Sequence, residues 1–227
     1  MNTAIIVAAG QGKRFGAKKP KQFIEIHGKP LIIHTLECFE NCFVIDEIIL
    51  ILPAEEIANF QNLSEKFNLT KLKKIAAGGK TRAESVYNGL KAIESEAVKI
   101  VAVHDGARPL VTGEEITATI ESAKETGAAC LVASVNDTIK KVSGGKIIKT
   151  IDRSKLRRAL TPQAFHFEIL QKAFATDNFE ETATDECFLV EKLGYEISFV
   201  EGSPKNIKIT TPEDLILAEG LLKESKI

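Results

Sequence analysis

Short β-branched runs alternate with longer amphipathic segments along most of this chain, and that rhythm limits its fold more than any other feature of the sequence. Residues 4–9, 47–52, 73–76, 99–104 and 128–135 read as strands, with helices between them at 30–41, 54–67, 81–94 and 114–126. Strands joined through helices form a mostly parallel sheet with helices laid over both faces. The expected fold class is therefore α/β: a single Rossmann-like, mostly parallel sheet over residues 1–227, a length that fits one large domain with a substantial core. Residues 136–158 interrupt the rhythm. There DTIKKV, a Gly144-Gly145 turn and KIIKTID read as a protruding β-hairpin. Beyond it, 167–176 and 184–193 read as helices and 197–200 and 207–209 as strands, and Pro212 opens a last helix with Thr211 as its N-cap.

In an open α/β sheet, ligands lie beyond the carboxyl ends of the strands. Loops at 8–22, 76–85 and 104–109 each follow a strand and so fall on one edge. The first contains AAGQGKRFG at 8–16. Gly10, Gly12 and Gly16 let backbone N–H groups line an anion-binding concavity. Lys13, Arg14 and Lys21, with Lys18 and Lys19 nearby, offer charge-assisted hydrogen bonds to phosphate. The second loop, in AAGGKTRAESVYNGL at 76–90, turns at Gly78-Gly79 and puts Ser85 in the first helical turns, so backbone can approach a flat or anionic ligand. A plain strand-to-helix connection has the same appearance. The third, VAVHDGARPLV at 101–111, ends a strand in His104-Asp105. Asp105 suits a Mg²⁺ or ribose-hydroxyl contact, or else caps the turn and pairs with Arg108. Near the C-terminus, alternation along 207–209 sends Ile207 and Ile209 to one face and Lys208 to the other, where it completes a ring of positive charge.

The basic character is local. Thirty basic and 31 acidic residues leave a formal net charge of −1, which gives no footprint for nucleic acid or an anionic membrane. No apolar stretch approaches the ~20 residues of a membrane span. Cys38, Cys42, Cys130 and Cys187 have neither CxxC spacing nor the density of a disulfide framework, so reduced thiols of a cytoplasmic protein are expected. His34, Cys38 and Cys42 could be drawn as a metal face, but they share an apolar helix with Leu36 and Phe39. Met1 leads almost at once into the first strand, leaving no room for a targeting peptide.

Together these segments resemble the pyrophosphorylase-type nucleotidyltransferases. The likeness is closer to one family, that of 2-C-methyl-D-erythritol 4-phosphate cytidylyltransferase, and spans essentially the whole chain. It is carried by AAGQGKRFG with PKQF at 20–23, GG with RAESV at 78–86, HDGARP at 104–109 and NDTIK at 136–140, then IDRSKL and LTPQAF within 151–165, TDE at 184–186 and NIKITTPEDL at 206–215.

The resemblance implies Mg²⁺-dependent joining of CTP to methylerythritol phosphate with loss of pyrophosphate, in the non-mevalonate isoprenoid pathway. It assigns Arg14, Lys21 and Lys208 as catalytic cations, with Lys13 as a helper. It places the nucleotide at Ala8, Ala9, Gly10, Gly12, Gly79, Ser85 and Asp105, with Asp105 also facing the metal indirectly. It places methylerythritol phosphate at Thr138, Arg153, Thr161 and Arg108. The 136–158 hairpin is implied to be an arm embracing a second subunit in a homodimer, where Arg153 completes the partner's site.

Arg157 and Lys80 depart from the family, which often carries an aromatic and an acidic residue there. Ribitol 5-phosphate cytidylyltransferase is the nearest alternative, although AAG at 8–10 and the NDTIK and IDRS pair favour methylerythritol phosphate. A dinucleotide-binding oxidoreductase fits less well, because the glycines read GxGxxxG and the second strand ends in Leu52-Pro53 without a ribose-binding acid. A silent nucleotide sensor would not need cations for leaving-group stabilisation.

Overall fold

The computed structural model describes residues 1–10, 15, 20–175 and 183–224. In chain order the elements are β1 (Asn2–Val7), the short pair β2 (Glu25–Ile26) and β3 (Lys29–Pro30), α1 (Leu31–Glu40), β4 (Glu47–Leu52), α2 (Ile57–Ser64), β5 (Leu72–Ala77) and α3 (Arg82–Lys91). Then follow β6 (Ile100–Asp105), α4 (Gly113–Thr126), β7 (Ala128–Ser134), the hairpin β8 (Lys140–Ser143) and β9 (Lys146–Thr150), β10 (Arg157–His166), α5 (Phe167–Phe174), α6 (Glu186–Lys192), β11 (Ser198–Glu201) and α7 (Pro212–Glu224).

Seven of the described strands form one sheet in the order β11-β7-β10-β6-β1-β4-β5. β1 lies parallel between β4 and β6, β5 extends the sheet beyond β4, and β11 runs parallel to β7. β10 is inserted antiparallel between β6 and β7. The result is a mostly parallel, Rossmann-like α/β sheet.

Alternation builds the two layers. Ala4 and Ile6 of β1, Ile48 and Leu50 of β4 and Ala102 of β6 are buried with α1, Phe60 of α2 and Ile116 and Ile120 of α4. Ile5, Ile49, Ile51, Val101 and Val103 point the other way, into residues of α3, α5 and α6. Helix ends follow local chemistry. Thr112 and Glu115 form a reciprocal capping box at the start of α4, and Gly127 ends that helix at φ 90°. Among the described residues, no helix is long and apolar enough to cross a membrane.

Three sequence expectations need correction. Residues 157–166 form a ten-residue strand where none was expected. Pro162 argues against a strand, but the pairing of β10 skips from Ala159 to Gln163, so the residue without an N–H lies outside the ladder. Residues 207–209 are not a strand. The segment is tied down by Ile209, whose N–H donates to the Ala107 carbonyl at 2.8 Å. The expected face separation survives, since Ile209 is buried with Ile26 and Leu31 while Lys208 turns to the opposite side. The expected helix at 54–67 is a 3-10 turn at Ala54–Glu56 followed by the shorter α2.

The thiols of α1 and of the turn after it are committed to hydrogen bonds. Cys38 Sγ donates to the His34 and Pro109 carbonyls, Cys42 Sγ donates to the Gly113 carbonyl, and a His34 ring nitrogen bonds the Ile26 carbonyl. Burial pushes the Cys38 thiol up to about 12. No group of three or more His, Cys, Asp or Glu suited to a metal occurs among the described residues.

Candidate active site

A cavity of about 690 Å³ opens at the carboxyl ends of β1, β5 and β6, the edge expected to carry the ligand. Ala8, Ala9 and Gly10 after β1, Gly79 and Ser85 around the start of α3, and Asp105, Lys21 and Lys208 all line it. Two glycines make the convergence possible. A Cβ at Gly106 would stand 2.8 Å from the Ala8 Cβ, and one at Gly78 would stand 2.2 Å from the Ala9 Cβ. Any side chain at either position would separate the loops that form the floor.

Asp105 is the centre of charge. Its Oδ1 accepts from Arg82 Nε at 3.0 Å, and its Oδ2 pairs with Lys208 Nζ at 2.9 Å and Arg108 Nε at 3.2 Å. Burial alone would raise the Asp105 pKa, but Arg82, Lys208 and Arg108 outweigh it and hold the carboxyl well below the usual range. Asp105 pairs with Arg108, as one of its two sequence readings expects, and it also faces the cavity. Lys21 reaches the same region, its Nζ donating to the Ile209 carbonyl at 2.8 Å.

Below Asp105 lies a buried polar network. The Asp105 N–H donates to Thr161 Oγ1 at 3.2 Å, and Thr161 Oγ1 lies 3.0 Å from His104 Nδ1. His104 Nε2 lies 3.1 Å from the Arg108 carbonyl, which can only accept, so Nε2 carries the proton and Nδ1 accepts from the Thr161 hydroxyl. Burial pushes His104 down to about 3, keeping it neutral. Asn206 closes the network, donating to the Thr161 carbonyl at 3.0 Å and accepting from Arg108 Nη1 on its own carbonyl at 2.8 Å.

The expected site residues therefore separate into groups. Ala8, Ala9, Gly10, Lys21, Gly79, Ser85, Asp105 and Lys208 are brought together around the cavity. Ser85 also fastens its own loop, since its hydroxyl donates to the Thr81 carbonyl and accepts from the Gly79 N–H. Arg108 stands behind Asp105, and Thr161 is buried beneath it with its hydroxyl engaged. Thr138 and Arg153 are exposed beside the hairpin and do not line this cavity. Gly12, Lys13 and Arg14 lie outside the described residues.

Sequence reasoning gave no role to Arg82 or Glu186. Arg82 bridges two carboxylates, with Nε on Asp105 and Nη1 on Glu186 Oε1 at 2.5 Å. Burial opposes its charge, but Glu186 and Asp105 outweigh burial and push its pKa up. A signal was available, because Arg82 is the first residue of α3, next to the positive end of the helix dipole where a cation is unfavourable.

Among the described residues, the cavity offers a metal one carboxylate. Asp105 is the carboxylate lining the cavity, and both its oxygens already bond side-chain cations. That arrangement suits contact with a metal through water and not direct ligation.

The family model for 2-C-methyl-D-erythritol 4-phosphate cytidylyltransferase matches residues 2–224. The chain belongs to this family. Relatives of that name include one from Bacillus velezensis, 47% identical over 96% of this chain and 94% of its own, and one from Halalkalibacterium halodurans, 43% identical over 99% and 98%. The crystal structure of 4-diphosphocytidyl-2C-methyl-D-erythritol synthase from Anaerococcus prevotii is similar with a TM-score of 0.84 at 30% identity, covering 98% of this chain and 96% of that one. The Francisella tularensis 2-C-methyl-D-erythritol 4-phosphate cytidylyltransferase is similar with a TM-score of 0.80 at 34% identity, covering 96% and 98%. For a cytidylyltransferase the chemistry of the site is apt. Cations converge beside glycine-lined backbone, and neutral His104 is sealed from solvent with both ring nitrogens engaged, so it is not placed as a general base.

Proposed function

We propose that this chain transfers the cytidylyl group of CTP to 2-C-methyl-D-erythritol 4-phosphate, giving 4-diphosphocytidyl-2-C-methyl-D-erythritol and pyrophosphate in isoprenoid synthesis. The observation that carries this reading is the Lys208–Asp105 pair, backed by Arg82 and Arg108, on the wall of a glycine-floored cavity. A phosphate monoester has a second pKa of about 6, so the attacking oxygen is already ionised and needs no base. That oxygen forms a bond to the α-phosphorus while the bond to the β-phosphate oxygen breaks and pyrophosphate leaves with the electron pair. Alignment and positive charge are what the step requires. Lys208 is assigned to the α-phosphate, Lys21 and Arg14 to the departing pyrophosphate with Lys13 assisting, and Ala8, Ala9, Gly10, Gly12, Gly79 and Ser85 to the nucleotide. Mg²⁺ entering with the triphosphate supplies further charge neutralisation, and Asp105 is the residue that would face it.

Methylerythritol phosphate is assigned to Arg108 and Thr161 from the site's own chain, and to Thr138 and Arg153 from the arm of a second subunit. Val142, Ile147 and Ile148 on the β8–β9 hairpin are 64%, 66% and 57% exposed, an apolar load that favours a partner surface. The four free cysteines agree with a cytoplasmic setting.

Pyrophosphate release from CTP and Mg²⁺, measured with methylerythritol phosphate and with ribitol 5-phosphate in parallel, tests the proposal. Release only with the former is expected. Release only with the latter keeps the mechanism and changes the substrate, and silence with both rejects the reading.

A further inference from the structure

We propose that Glu186 is a positioning residue for the transfer step, holding Arg82 from behind so that Asp105 and Lys208 keep their places on the cavity wall. This rests on the cytidylyl-transfer reading of the same site.

Glu186 opens α6, is 1% exposed and does not line the cavity. Its Oε1 accepts from Arg82 Nη1, while its Oε2 has no hydrogen-bond partner among the described residues. A buried carboxylate with an unmet oxygen is expensive, and a neutral side chain would fill the same volume at lower cost. Its charge therefore calls for a reason other than packing.

The first turn of α6 suits a carboxylate, but α6 is anchored without it. Gln163 Nε2 donates to Asp185 Oδ2 at 3.0 Å, and Gln163 Oε1 accepts from the Cys187 N–H at 3.1 Å. Asp185 Oδ1 caps the Phe188 N–H at 3.0 Å. Cys187, Leu189 and Val190 bury the helix in the core. The backbone on both sides of Glu186 is thus fixed by its neighbours, which leaves its carboxylate acting on Arg82.

From Arg82 the path continues to the chemistry. The guanidinium is divided between Glu186 and Asp105 Oδ1, and Asp105 Oδ2 holds Lys208. With Glu186 in place, Arg82 meets one carboxylate on each side. Without that charge, Asp105 becomes the sole counter-ion of Arg82 in this cluster and is drawn toward it, at the expense of Lys208. A displaced cation at the α-phosphate harms the transition state more than nucleotide binding.

Glu186→Gln keeps the volume and an acceptor for Arg82 while removing the charge. Steady-state kinetics with CTP and methylerythritol phosphate should give a kcat about ten- to a hundredfold below wild type, with KM for CTP within about threefold. Thermal melting measured alongside should remain a single transition. A kcat within about twofold of wild type would overturn the proposal. So would parallel changes in kcat and KM with a lowered melting temperature, the pattern of a merely structural residue. If Glu186→Gln does not fold, Glu186→Met removes the charge without burying an amide and leaves Arg82 in place. A kcat within about twofold of wild type in that variant overturns the proposal, and a lowered kcat with KM for CTP retained supports it. Failure of the functional reading is a separate result, in which the wild-type protein itself releases no pyrophosphate from the two substrates.

Discussion

At the residue scale, Lys208 presents its ammonium to the cavity while Asp105 Oδ2 holds it at 2.9 Å. Lys208→Ala should lower kcat by about 10²–10³, the scale of losing one donor to a developing charge, with a much smaller change in KM for CTP. Steady-state kinetics check this, and equal losses in both constants would remove Lys208 from the transition state. A second prediction concerns His104. Its folded pKa of about 3 lies below the ordinary 6.5, so between those values the unfolded chain carries a proton that the folded chain does not. Stability from this group is complete above pH 6.5 and is lost as pH falls toward 3, by up to ~1.4 kcal/mol per pH unit. Urea unfolding at pH about 7 and about 5 should give a flatter pH dependence for His104→Asn than for wild type; parallel slopes would contradict the assignment. Lys21, Asp105 and Lys208 were legible in the sequence because each stands in or beside a loop after a strand or opposite an apolar alternation. Arg82 and Glu186 were not, because the bridge between them joins residues 104 apart through β-sheet packing that no local pattern encodes.

At the element scale, the parallel strands and their helices could be read from apolar periodicity, since each strand alternates between two covered faces. β10 could not. Its ladder is interrupted around Pro162, and its reversed direction depends on β6 and β7, which are distant in sequence. That strand matters to the site because it carries Thr161 and Gln163, which bond Asp105 on one side and the start of α6 on the other. The loops were legible as glycine-rich, but the contact each glycine permits was not. Gly78→Ala would drive a methyl to 2.2 Å from the Ala9 Cβ, so the β5–α3 loop or the β1 loop must move. Overpacking of this kind costs about 1–3 kcal/mol. A lower urea midpoint is expected together with a raised KM for CTP, because the displaced backbone lines the cavity proposed to hold CTP. An unchanged KM would separate this loop from nucleotide binding.

At the scale of the whole molecule, the described residues of one chain bring Ala8, Gly79, Ser85, Asp105 and Lys208 together around one cavity but leave Thr138 and Arg153 out of it. Arg153 is exposed, and its Nη1 donates to the Asn136 carbonyl across the root of the hairpin. The root is braced by Glu201 of β11, which accepts from Ser134 Oγ at 2.5 Å and from Arg157 Nε at 2.9 Å. Arg157 thereby joins the arm to the edge of the sheet. An arm fixed at its base and carrying exposed apolar residues is suited to reach a second copy. If Arg153 completes the partner's site, Arg153→Ala and Lys208→Ala homodimers should each be nearly inactive, yet a mixed dimer would contain one doubly defective site and one intact site. Random exchange makes half of the dimers mixed, so co-expression of the two variants should recover about a quarter of wild-type turnover. The mass of each variant measured by light scattering should equal that of the wild-type dimer. A dimer that recovers no activity on mixing would mean that Arg153 serves its own chain, and a monomeric wild type would remove the arm from the site altogether.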